Sequence, residues 1–453
     1  MLKRRYSNIY FLGIGGIGMS ALARYFKSKG VFVGGYDKTP SKLTKQLENE
    51  GIMIHYEDLG ANVLELVGDK ESTLVVLTPA IPQDMKELIS LEKEGYIIHK
   101  RAKVLGLISE DWKTLAVAGT HGKTTTSTML AYVLSNSVQR CSAFLGGISA
   151  NFDSNLVLDE NAEWLVVEAD EYDRSFHQLK PFSAIITSTE ADHLDIYHDE
   201  KNMNEAFEEF TQLISSNGKL IAHYKVNVGK NMPRITYGIG EDIHADYQGI
   251  NLRVVDGFFT MDVITPTRKH GNIQLGLPGT HNAENALAVI ALTESIGLKL
   301  EEIKPYLQSF KGVKRRFEVI VQKDDIIYID DYAHHPTAIK KLIESVRMIY
   351  SNQSIHIIFQ PHLFTRTRDF MKEFAASLKL SDEVVLMPIY PARELPIEGV
   401  TSRALADMIG SHVHVLESNE VLEYVKHIKE GVLLTVGAGN IDRLVEQISE
   451  ILA

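Results

Sequence analysis

Residues 115–126 read Leu-Ala-Val-Ala-Gly-Thr-His-Gly-Lys-Thr-Thr-Thr, an apolar strand followed at once by a loop with two glycines and the start of a helix. In such a loop, backbone N–H groups surround phosphate oxygens, a lysine reaches the outer phosphates, and a hydroxyl at the helix start binds Mg²⁺. A plain turn needs neither the lysine nor the threonines. The sequence therefore predicts a triphosphate site, whose members are Gly119, Thr120, His121, Gly122, Lys123, Thr124 and Thr125. In the usual P-loop spacing, the first glycine stands where this chain has Val117. This departure narrows the set of protein families to which the loop can belong.

Length and composition limit the function classes. A chain of 453 residues predicts roughly three domains. Its formal charge of -12 argues against binding to nucleic acid or to an anionic membrane surface. No segment has the length of a membrane span. The single cysteine, Cys141, predicts a reducing compartment, the cytoplasm, and we interpret it as a packed thiol near Phe144.

The N-terminus has two interpretations. Three basic residues, an apolar stretch and the segment 21–23 (Ala-Leu-Ala) imitate a secretory signal peptide. Glycines at positions 13, 15, 16 and 18 instead predict a strand from Asn8 to Leu12, a tight loop, and a helix from about Ile17. We adopt the second interpretation.

That loop follows the Gly-x-Gly-x-x-Gly pattern, and Asp37 closes a second predicted strand at residues 31–36. The pattern predicts an anionic group, such as a diphosphate, at the helix N-terminus. Considered alone, it also permits an NAD-dependent oxidoreductase. The residues predicted to bind this ligand are Gly15, Gly16, Ile17, Gly18 and Asp37.

Acidic residues follow the strands of a second predicted parallel core. Residues 164–167 run directly into Glu168, a candidate Mg²⁺ ligand. The strand at residues 184–187 leads toward His193, which stands among three carboxylates and is a candidate second metal ligand, although a lone histidine is more often structural. Residues 250–264 predict a hairpin of an accessory sheet. Asn282 and Asn285 begin a helix, where they read an adenine edge or act as caps.

A third parallel core is predicted from residue 313. Strands at residues 326–329, 355–359, 383–387 and 432–436 alternate with helical patterns, and Pro336 suits the first turn of a helix. Arg366 and Arg368 follow the second of these strands, where a guanidinium suits a carboxylate or phosphate. For Arg368, an exposed solubilising charge is an equal alternative.

Six motifs together resemble the Mur ligases in identity and order. They are Gly-Thr-His-Gly-Lys-Thr-Thr-Thr at 119–126, Glu-Ala-Asp-Glu at 168–171, Glu-Ala-Asp-His at 190–193, His-Asn-Ala-Glu-Asn-Ala at 281–286, Arg-Arg-Phe at 315–317 and Asp-Tyr-Ala-His-His-Pro at 331–336. The resemblance implies an α/β fold of three domains, each built on a mainly parallel sheet with flanking helices. It implies a Rossmann-like UDP-sugar-binding domain at 1–110, a P-loop ATPase-like domain at 111–312, and a Rossmann-like closure domain at 313–453.

The resemblance also implies an activity: an ATP-dependent ligase that joins L-alanine to the carboxylate of UDP-N-acetylmuramate through an acyl phosphate, in peptidoglycan precursor synthesis. ATP and Mg²⁺ are the implied cofactors, with Mn²⁺ as a substitute. The chain would act as a monomer or homodimer, without nucleic acid or membrane insertion. A sister ligase that adds a murein tripeptide to the same sugar shares most motifs, and a non-catalytic nucleotide switch is a further alternative.

Site residues transfer position by position. The first glycine loop is reassigned to the diphosphate of UDP. Lys123, Glu168, His193 and Arg366 become the catalytic group; Thr124, Glu168 and His193 the metal ligands; and Asn282, Asn285, Arg316, Asp331 and His334 further ATP-site residues. Two positions depart from the family. Leu363 replaces an arginine, so Arg366 carries more of the substrate contact, and Glu208 stands where some relatives carry a carbamylated lysine, so we predict no carbamylation.

Overall fold

The computed structural model describes residues 6–190, 197, 199–256, 258–323, 325–392 and 394–453. In this part of the chain, the strands form three sheets, of five, ten and six strands. The fold divides into two compact units: Met1–Asn251 with Met261–Ile273 and Glu284–Phe310, and Leu252–Thr260 with Gln274–Ala283 and Lys311–Ala453. Among the described residues, no helix is both long enough and apolar enough to cross a membrane.

The first sheet is wholly parallel and has the order β3-β2-β1-β4-β5. Its strands are β1 (Asn8–Leu12), β2 (Phe32–Tyr36), β3 (Met53–His55), β4 (Thr73–Leu77) and β5 (Ile97–Lys100). Its helices are α1 (Ile17–Ser28), α2 (Lys42–Asn49), α3 (Leu64–Val67), α4 (Lys86–Lys93) and α5 (Arg101–Ser109), with a 3₁₀ turn at Gly60–Val63. The strand order reverses between β1 and β4, and ligands bind at such a switch point in open α/β sheets.

The strand, glycine loop and helix predicted for the first part of the chain are confirmed. Strand β1 has the predicted bounds, and α1 begins at Ile17. The loop between them needs a glycine at position 13, because Gly13 has a φ of +88°. Continuous burial of β1 from Ile9 onward is typical of a parallel strand covered on both faces.

The second sheet has the order β15-β14-β13-β12-β11-β10-β6-β9-β7-β8. Its strands are β6 (Lys113–Ala118), β7 (Cys141–Ser149), β8 (Ser154–Val157), β9 (Trp164–Glu168), β10 (Pro181–Ile186), β11 (Leu220–His223), β12 (Arg234–Ile239), β13 (Tyr247–Val255), β14 (Phe258–Ile264) and β15 (Lys269–Leu275). Its helices are α6 (Lys123–Ser135), α7 (Glu200–Thr211), α8 (Thr280–Ser295) and α9 (Leu300–Ser309), with a 3₁₀ segment at Tyr172–Gln178.

Strands β13 and β14 correspond to the predicted hairpin, but they do not form a separate accessory sheet. Strand β12 pairs in parallel with β13, so Tyr237 lies opposite Tyr247 and the hydrogen bonding of the second sheet continues into the hairpin. Cys141 is buried as predicted, and burial raises the pKa of its thiol to about 12.

The first sheet and strands β6 to β12 of the second sheet belong to one unit, and α1 packs directly on the second sheet. Asn155 of β8 is fully buried and donates hydrogen bonds to the Ile17 carbonyl at 2.6 Å and the Ser20 hydroxyl at 2.9 Å. Its own carbonyl accepts one from Arg24 at 2.6 Å. One apolar core runs through both sheets, from Ile9 of β1 to residues such as Phe207 of α7.

The third sheet has the order β16-β17-β21-β18-β19-β20, with only the β16–β17 pair antiparallel among the described strands. Its strands are β16 (Glu318–Gln322), β17 (Ile326–Asp331), β18 (Ile355–Phe359), β19 (Glu383–Leu386), β20 (Val413–Val415) and β21 (Gly431–Val436). Its helices are α10 (Pro336–Ile349), α11 (Phe364–Asp369), α12 (Met371–Leu378), α13 (Ser402–Ile409), α14 (Ser418–Val425) and α15 (Val445–Leu452), with a 3₁₀ turn at Asn440–Leu444. Pro336 begins α10, as predicted.

Candidate active site

The predicted phosphate loop joins β6 to α6. Gly122, immediately before the helix, has a φ of +82°, which explains a glycine at this position. The residues that follow β10 support the loop from one side. The backbone N–H of His121 donates to the Ser188 hydroxyl at 3.0 Å, and that of Thr120 donates to the Ser188 carbonyl at 3.1 Å. These hydrogen bonds fix the shape of the loop.

Lys123 begins α6, and its ammonium group is held inside the loop. It donates to the Gly119 carbonyl at 2.7 Å and to a Glu171 carboxylate oxygen at 2.9 Å. The Glu171 side chain has no exposed area, and that of Lys123 is 14% exposed. Burial acts to lower the pKa of Lys123, but the carboxylates of Glu171 and Glu168 outweigh burial and raise it. The lysine therefore stays charged.

Glu168 ends β9, beside the strand that leads into the loop, because Val117 pairs with Glu168 in the sheet. Its carboxylate lies against the bare α-carbon of Gly146 in β7: a Cβ on Gly146 would stand 2.0 Å from one carboxylate oxygen. Carboxylate and hydroxyl oxygens suit Mg²⁺, so Glu168 and Thr124 fit the predicted role. Within the described ranges, no three His, Cys, Asp or Glu side chains come together as a metal site. His193 lies outside the described residues, and its role stays a prediction.

The two asparagines predicted for the ATP site are both buried. The Asn285 side-chain carbonyl lies 2.8 Å from the point where Gly122 would carry a Cβ, which places this amide beside the phosphate loop. Asn282 donates from its amide to the Pro278 carbonyl at 2.7 Å, as a residue that shapes the start of α8. Contact of either residue with adenine stays a prediction.

The first glycine loop and Asp37 come together as predicted. The Gly15 N–H donates to one Asp37 carboxylate oxygen at 2.8 Å, and the Thr39 N–H donates to the other at 3.2 Å. Asp37 therefore shapes the loop itself. Gly16 precedes α1, whose first turn carries no acidic residue, so the positive end of this helix is open to an anion.

Sequence reasoning missed two residues that lie beside these loops. Glu171 is the partner of Lys123, yet the acidic motif pointed to Glu168. Arg101 lies across Gly18: its guanidinium nitrogen is 2.9 Å from the point where Gly18 would carry a Cβ. Arg101 directly follows β5, so the rule that polar residues at the carboxyl ends of parallel strands form sites makes it a candidate, but that rule does not predict its contact with Gly18.

In the second unit, four predicted residues lie at or near ends of strands β16, β17 and β18 of the third sheet: Arg316, Asp331, His334 and Arg366. Asp331 ends β17 and accepts hydrogen bonds from the backbone N–H groups of Phe317 and Ala333, both at 2.7 Å. The Arg316 guanidinium stacks on Tyr332 at 4.9 Å from the ring centre. The Nδ1–H group of His334 donates to the Tyr332 carbonyl at 2.9 Å.

Arg366 stands near two histidines, His334 and His362. It approaches the His362 ring nitrogen at 3.4 Å, and the two imidazole rings meet edge to face with centres 6.1 Å apart. Burial and then the Arg366 charge lower the pKa of His334 to about 3 and that of His362 to about 4. Both imidazoles are therefore neutral near pH 7. Sequence reasoning missed His362, which follows β18 in the same way as Arg366.

The two residues that depart from the family pattern, Leu363 and Glu208, each have a distinct local environment in the structure. Leu363 precedes α11 with a φ of +73°, an uncommon conformation for a side chain of this size. Glu208 lies on α7 and accepts a hydrogen bond from the Gly229 N–H at 2.7 Å. Its carboxylate thus serves the backbone of a neighbouring loop.

Comparison with known sequences agrees with this geometry. Three family profiles match in order: "Mur ligase family, catalytic domain" at residues 8–113, "Mur ligase middle domain" at 117–293 and "Mur ligase, glutamate ligase domain" at 315–439. The chain is similar to a UDP-N-acetylmuramate–L-alanine ligase of Parabacteroides distasonis, with 48% identity over 449 residues that cover 98% of this chain and 97% of the relative. The corresponding ligase of Cytophaga hutchinsonii is 46% identical over 97% of this chain and 96% of its own.

The chain belongs to the Mur ligase family.

Solved structures of Mur ligases share this fold. A UDP-N-acetylmuramate–alanine ligase from Thermotoga maritima matches with a TM-score of 0.84 and 30% identity, over 98% of each chain. A murein peptide ligase from Psychrobacter arcticus matches with a TM-score of 0.73 and 25% identity, also over 98% of each chain. The predicted three-domain α/β fold with mainly parallel sheets is confirmed, whereas the boundaries at 110/111 and 312/313 stay predictions.

Proposed function

We propose that this Mur ligase joins L-alanine to the carboxylate of UDP-N-acetylmuramate at the expense of ATP, in peptidoglycan precursor synthesis. The observation that carries the proposal is whole-length identity of 46–48% to relatives of that activity. The chain's own chemistry supports it, because two separate glycine loops precede two helices, one for each phosphate-bearing substrate. An oxidoreductase that binds NAD has no use for the second loop and its lysine.

The reaction follows from the weak electrophilicity of a carboxylate. The carboxylate oxygen of the sugar attacks the γ-phosphorus of ATP, ADP leaves, and an acyl phosphate forms. The alanine amine then attacks the acyl carbon, forms a C–N bond and loses a proton. The tetrahedral intermediate collapses as the bond between the acyl carbon and the phosphate oxygen breaks, and inorganic phosphate leaves with the electron pair of that bond. Water must be kept out because it would hydrolyse the acyl phosphate.

Lys123 is the central residue of the first step. Its ammonium contacts Glu171 and Gly119 inside the loop, where it would also reach the β- and γ-phosphates of ATP. Positive charge placed in advance stabilises the charge that develops on the transferred phosphoryl group. Thr124 and Glu168 would hold Mg²⁺, which neutralises phosphate charge, with Mn²⁺ as a substitute and His193 as a ligand of a second ion.

The second unit supplies the remaining groups. Arg366 binds a carboxylate or phosphate, since guanidinium pairs well with either group. His334, with its pKa of about 3, is neutral and can donate or accept a hydrogen bond without adding charge. By the family resemblance, Arg316 and Asp331 are further ATP-site residues. We place the enzyme in the cytoplasm, where its single buried thiol needs no oxidising environment.

The acceptor decides between two ligases. The Psychrobacter arcticus likeness favours, as a second candidate, a ligase that adds a preformed murein tripeptide to the same sugar. Release of phosphate is measured with ATP, Mg²⁺ and UDP-N-acetylmuramate, adding L-alanine in one assay and tripeptide in the other. We expect phosphate release and a new amide with alanine. Turnover with tripeptide alone would establish the second candidate, and ATP binding without turnover would indicate a nucleotide switch.

Calorimetry tests the first loop separately. We expect the protein to bind UDP-N-acetylmuramate and not NAD(H). We expect Gly15→Val to abolish the binding of UDP-N-acetylmuramate. A side chain at position 15 meets Thr44 at 2.7 Å and Asp37 at 2.8 Å. NAD binding that Gly15→Val removes, without any UDP-sugar binding, would support the oxidoreductase.

A further inference from the structure

Arg101 occupies an unusual position between two glycine- and acid-bearing loops of the first unit. It is the first residue of α5, and its side chain is 23% exposed. One guanidinium nitrogen lies 2.9 Å, and the side-chain Cδ 3.0 Å, from the point where Gly18 would carry a Cβ. Any larger residue at position 18 would displace this arginine. Gly18, the last glycine of the Gly-x-Gly-x-x-Gly pattern, therefore leaves room for the Arg101 guanidinium.

Asp170 holds the other side of the guanidinium. Its Oδ2 lies 3.5 Å from the second terminal nitrogen of Arg101, and its Oδ1 accepts a hydrogen bond from the Tyr172 N–H at 3.1 Å. The acid is thus fixed by the backbone on one side and faces the arginine on the other. It directly precedes Glu171, the partner of Lys123.

The helix that carries Arg101 is fixed on the segment that follows Asp170. A Cβ on Gly106 of α5 would stand 2.2 Å from the Gln178 carbonyl, so the two backbones touch. Arg101 and Asp170 are consequently supported by one rigid contact. Such support restricts the rotamers of a long side chain and lowers the entropy lost when it binds a ligand.

A guanidinium has five N–H donors, and one acidic partner engages few of them. One of its terminal nitrogens lies beside Gly18, in the first turn of a helix whose N-terminus attracts anions. Arginine forms its strongest contacts with phosphate and carboxylate oxygens. A diphosphate on the loop from Gly15 to Gly18 would therefore meet backbone N–H groups on one side and this cation on the other.

We propose that Arg101 binds the diphosphate of the UDP-sugar and that Asp170 is a positioning residue that orients its guanidinium over Gly18. The inference rests on the proposed function, because it takes the ligand of this loop to be a uridine diphosphate. It adds a residue from β5–α5 to a site otherwise built from β1, α1 and β2. It also links the two loops through the chain, because Asp170, the partner of Arg101, directly precedes Glu171, the partner of Lys123.

Binding of UDP, UMP and uridine by calorimetry tests the proposal in the whole protein. In Arg101→Met, which keeps the apolar part of the side chain, we expect the Kd for UDP to rise about tenfold or more, as for loss of a charge-assisted hydrogen bond. The Kd for uridine should stay the same. The Kd of Arg101→Lys for UDP should lie between those of the wild-type protein and Arg101→Met. The matched control is Lys100→Gln, because Lys100 pairs with Asp173 at 3.0 Å on the exposed surface and does not reach the loop.

Asp170→Asn tests the positioning role. We expect a smaller loss of UDP affinity, and no additional loss when the substitution is combined with Arg101→Met, because Asp170 acts only through the arginine. Unchanged ATP affinity in each variant shows that the fold is intact. Equal loss for UDP and uridine, or no loss for UDP in Arg101→Met, would overturn the proposal while leaving the proposed function standing. A wild-type protein that binds no uridine nucleotide would overturn both.

Discussion

Replacing Lys123 with methionine should separate its structural role from its catalytic role. The substitution keeps the length of the side chain but leaves the fully buried Glu171 without its ammonium partner. Removing one member of a buried ion pair costs about 3 kcal/mol here, at the low end of the usual range because Lys123 keeps some exposure. Turnover should fall by a factor of about 10² or more, since a preorganised charge on the phosphates is lost.

The stability loss should depend on pH. Burial raises the pKa of Glu171 and Lys123 opposes that rise, so loss of the lysine raises this pKa further and the folded variant favours the protonated acid. The destabilisation is then absent below about pH 4.3, the ordinary pKa of glutamate, and grows as the pH rises through the folded-state pKa. Both tryptophans, Trp112 and Trp164, lie in the first unit, so their fluorescence during denaturant unfolding follows the relevant part of the molecule.

A second substitution supplies the decisive comparison. Adding Glu171→Gln to Lys123→Met removes the buried charge, so most of the lost stability should return while turnover stays low. UDP-sugar affinity should remain near normal in both variants, because that ligand uses the other loop. A double variant no more stable than Lys123→Met would refute the buried-charge argument. Near-normal turnover in Lys123→Met would remove this residue from the mechanism.

Three further predictions concern the metal site and the second unit. Gly146→Ala should raise the Mg²⁺ concentration for half-maximal activity several-fold by displacing Glu168, whereas Gly271→Ala, whose nearest neighbour would be 3.8 Å away, should not; equal metal curves would contradict the role of Glu168. His193→Ala should raise the same concentration without unfolding the protein, and a lower melting temperature with an unchanged metal curve would make His193 structural. Because the folded-state pKa of His334 is depressed to about 3, the second unit should lose stability as the pH falls from about 6.5 toward 3. His334→Gln should flatten that dependence in hydrogen exchange of α10, and an unchanged slope would show that other groups cause it.

Strands whose apolar runs end at a glycine or a polar residue were the easiest part of the fold to predict. Residues 8–12 and 355–359 have the bounds expected from their apolar runs. Periodicity also located α10, because Pro336 marks its first turn. The hairpin at β13–β14 was predicted as a hairpin, but its joining to the second sheet was not, since edge pairing depends on which strand is left with open hydrogen bonds.

A site residue was predictable where a single sequence motif contains both the residue and the loop beside which it acts. Lys123 and Asp37 belong to such motifs, and the structure places both beside their loops. Glu171 and Arg101 were missed for a physical reason. Which acid of a Glu-Ala-Asp-Glu run faces a lysine depends on how the chain bends after β9, and the approach of Arg101 to Gly18 joins residues more than eighty positions apart.

The buried Asn155 has a consequence for how such enzymes can be recombined. Family profiles divide the chain near residue 115, which invites exchange of the first segment between relatives as a module. The amide of Asn155 and the shared apolar core tie that segment to the next across the proposed joint. A crossover there would divide one hydrophobic core between two parent proteins. It would also leave the polar Asn155 side chain buried without matched hydrogen-bond partners. Exchanges that respect the fold would carry α1, β7 and β8 together, so inheritance at this end of the protein is coupled over about 150 residues.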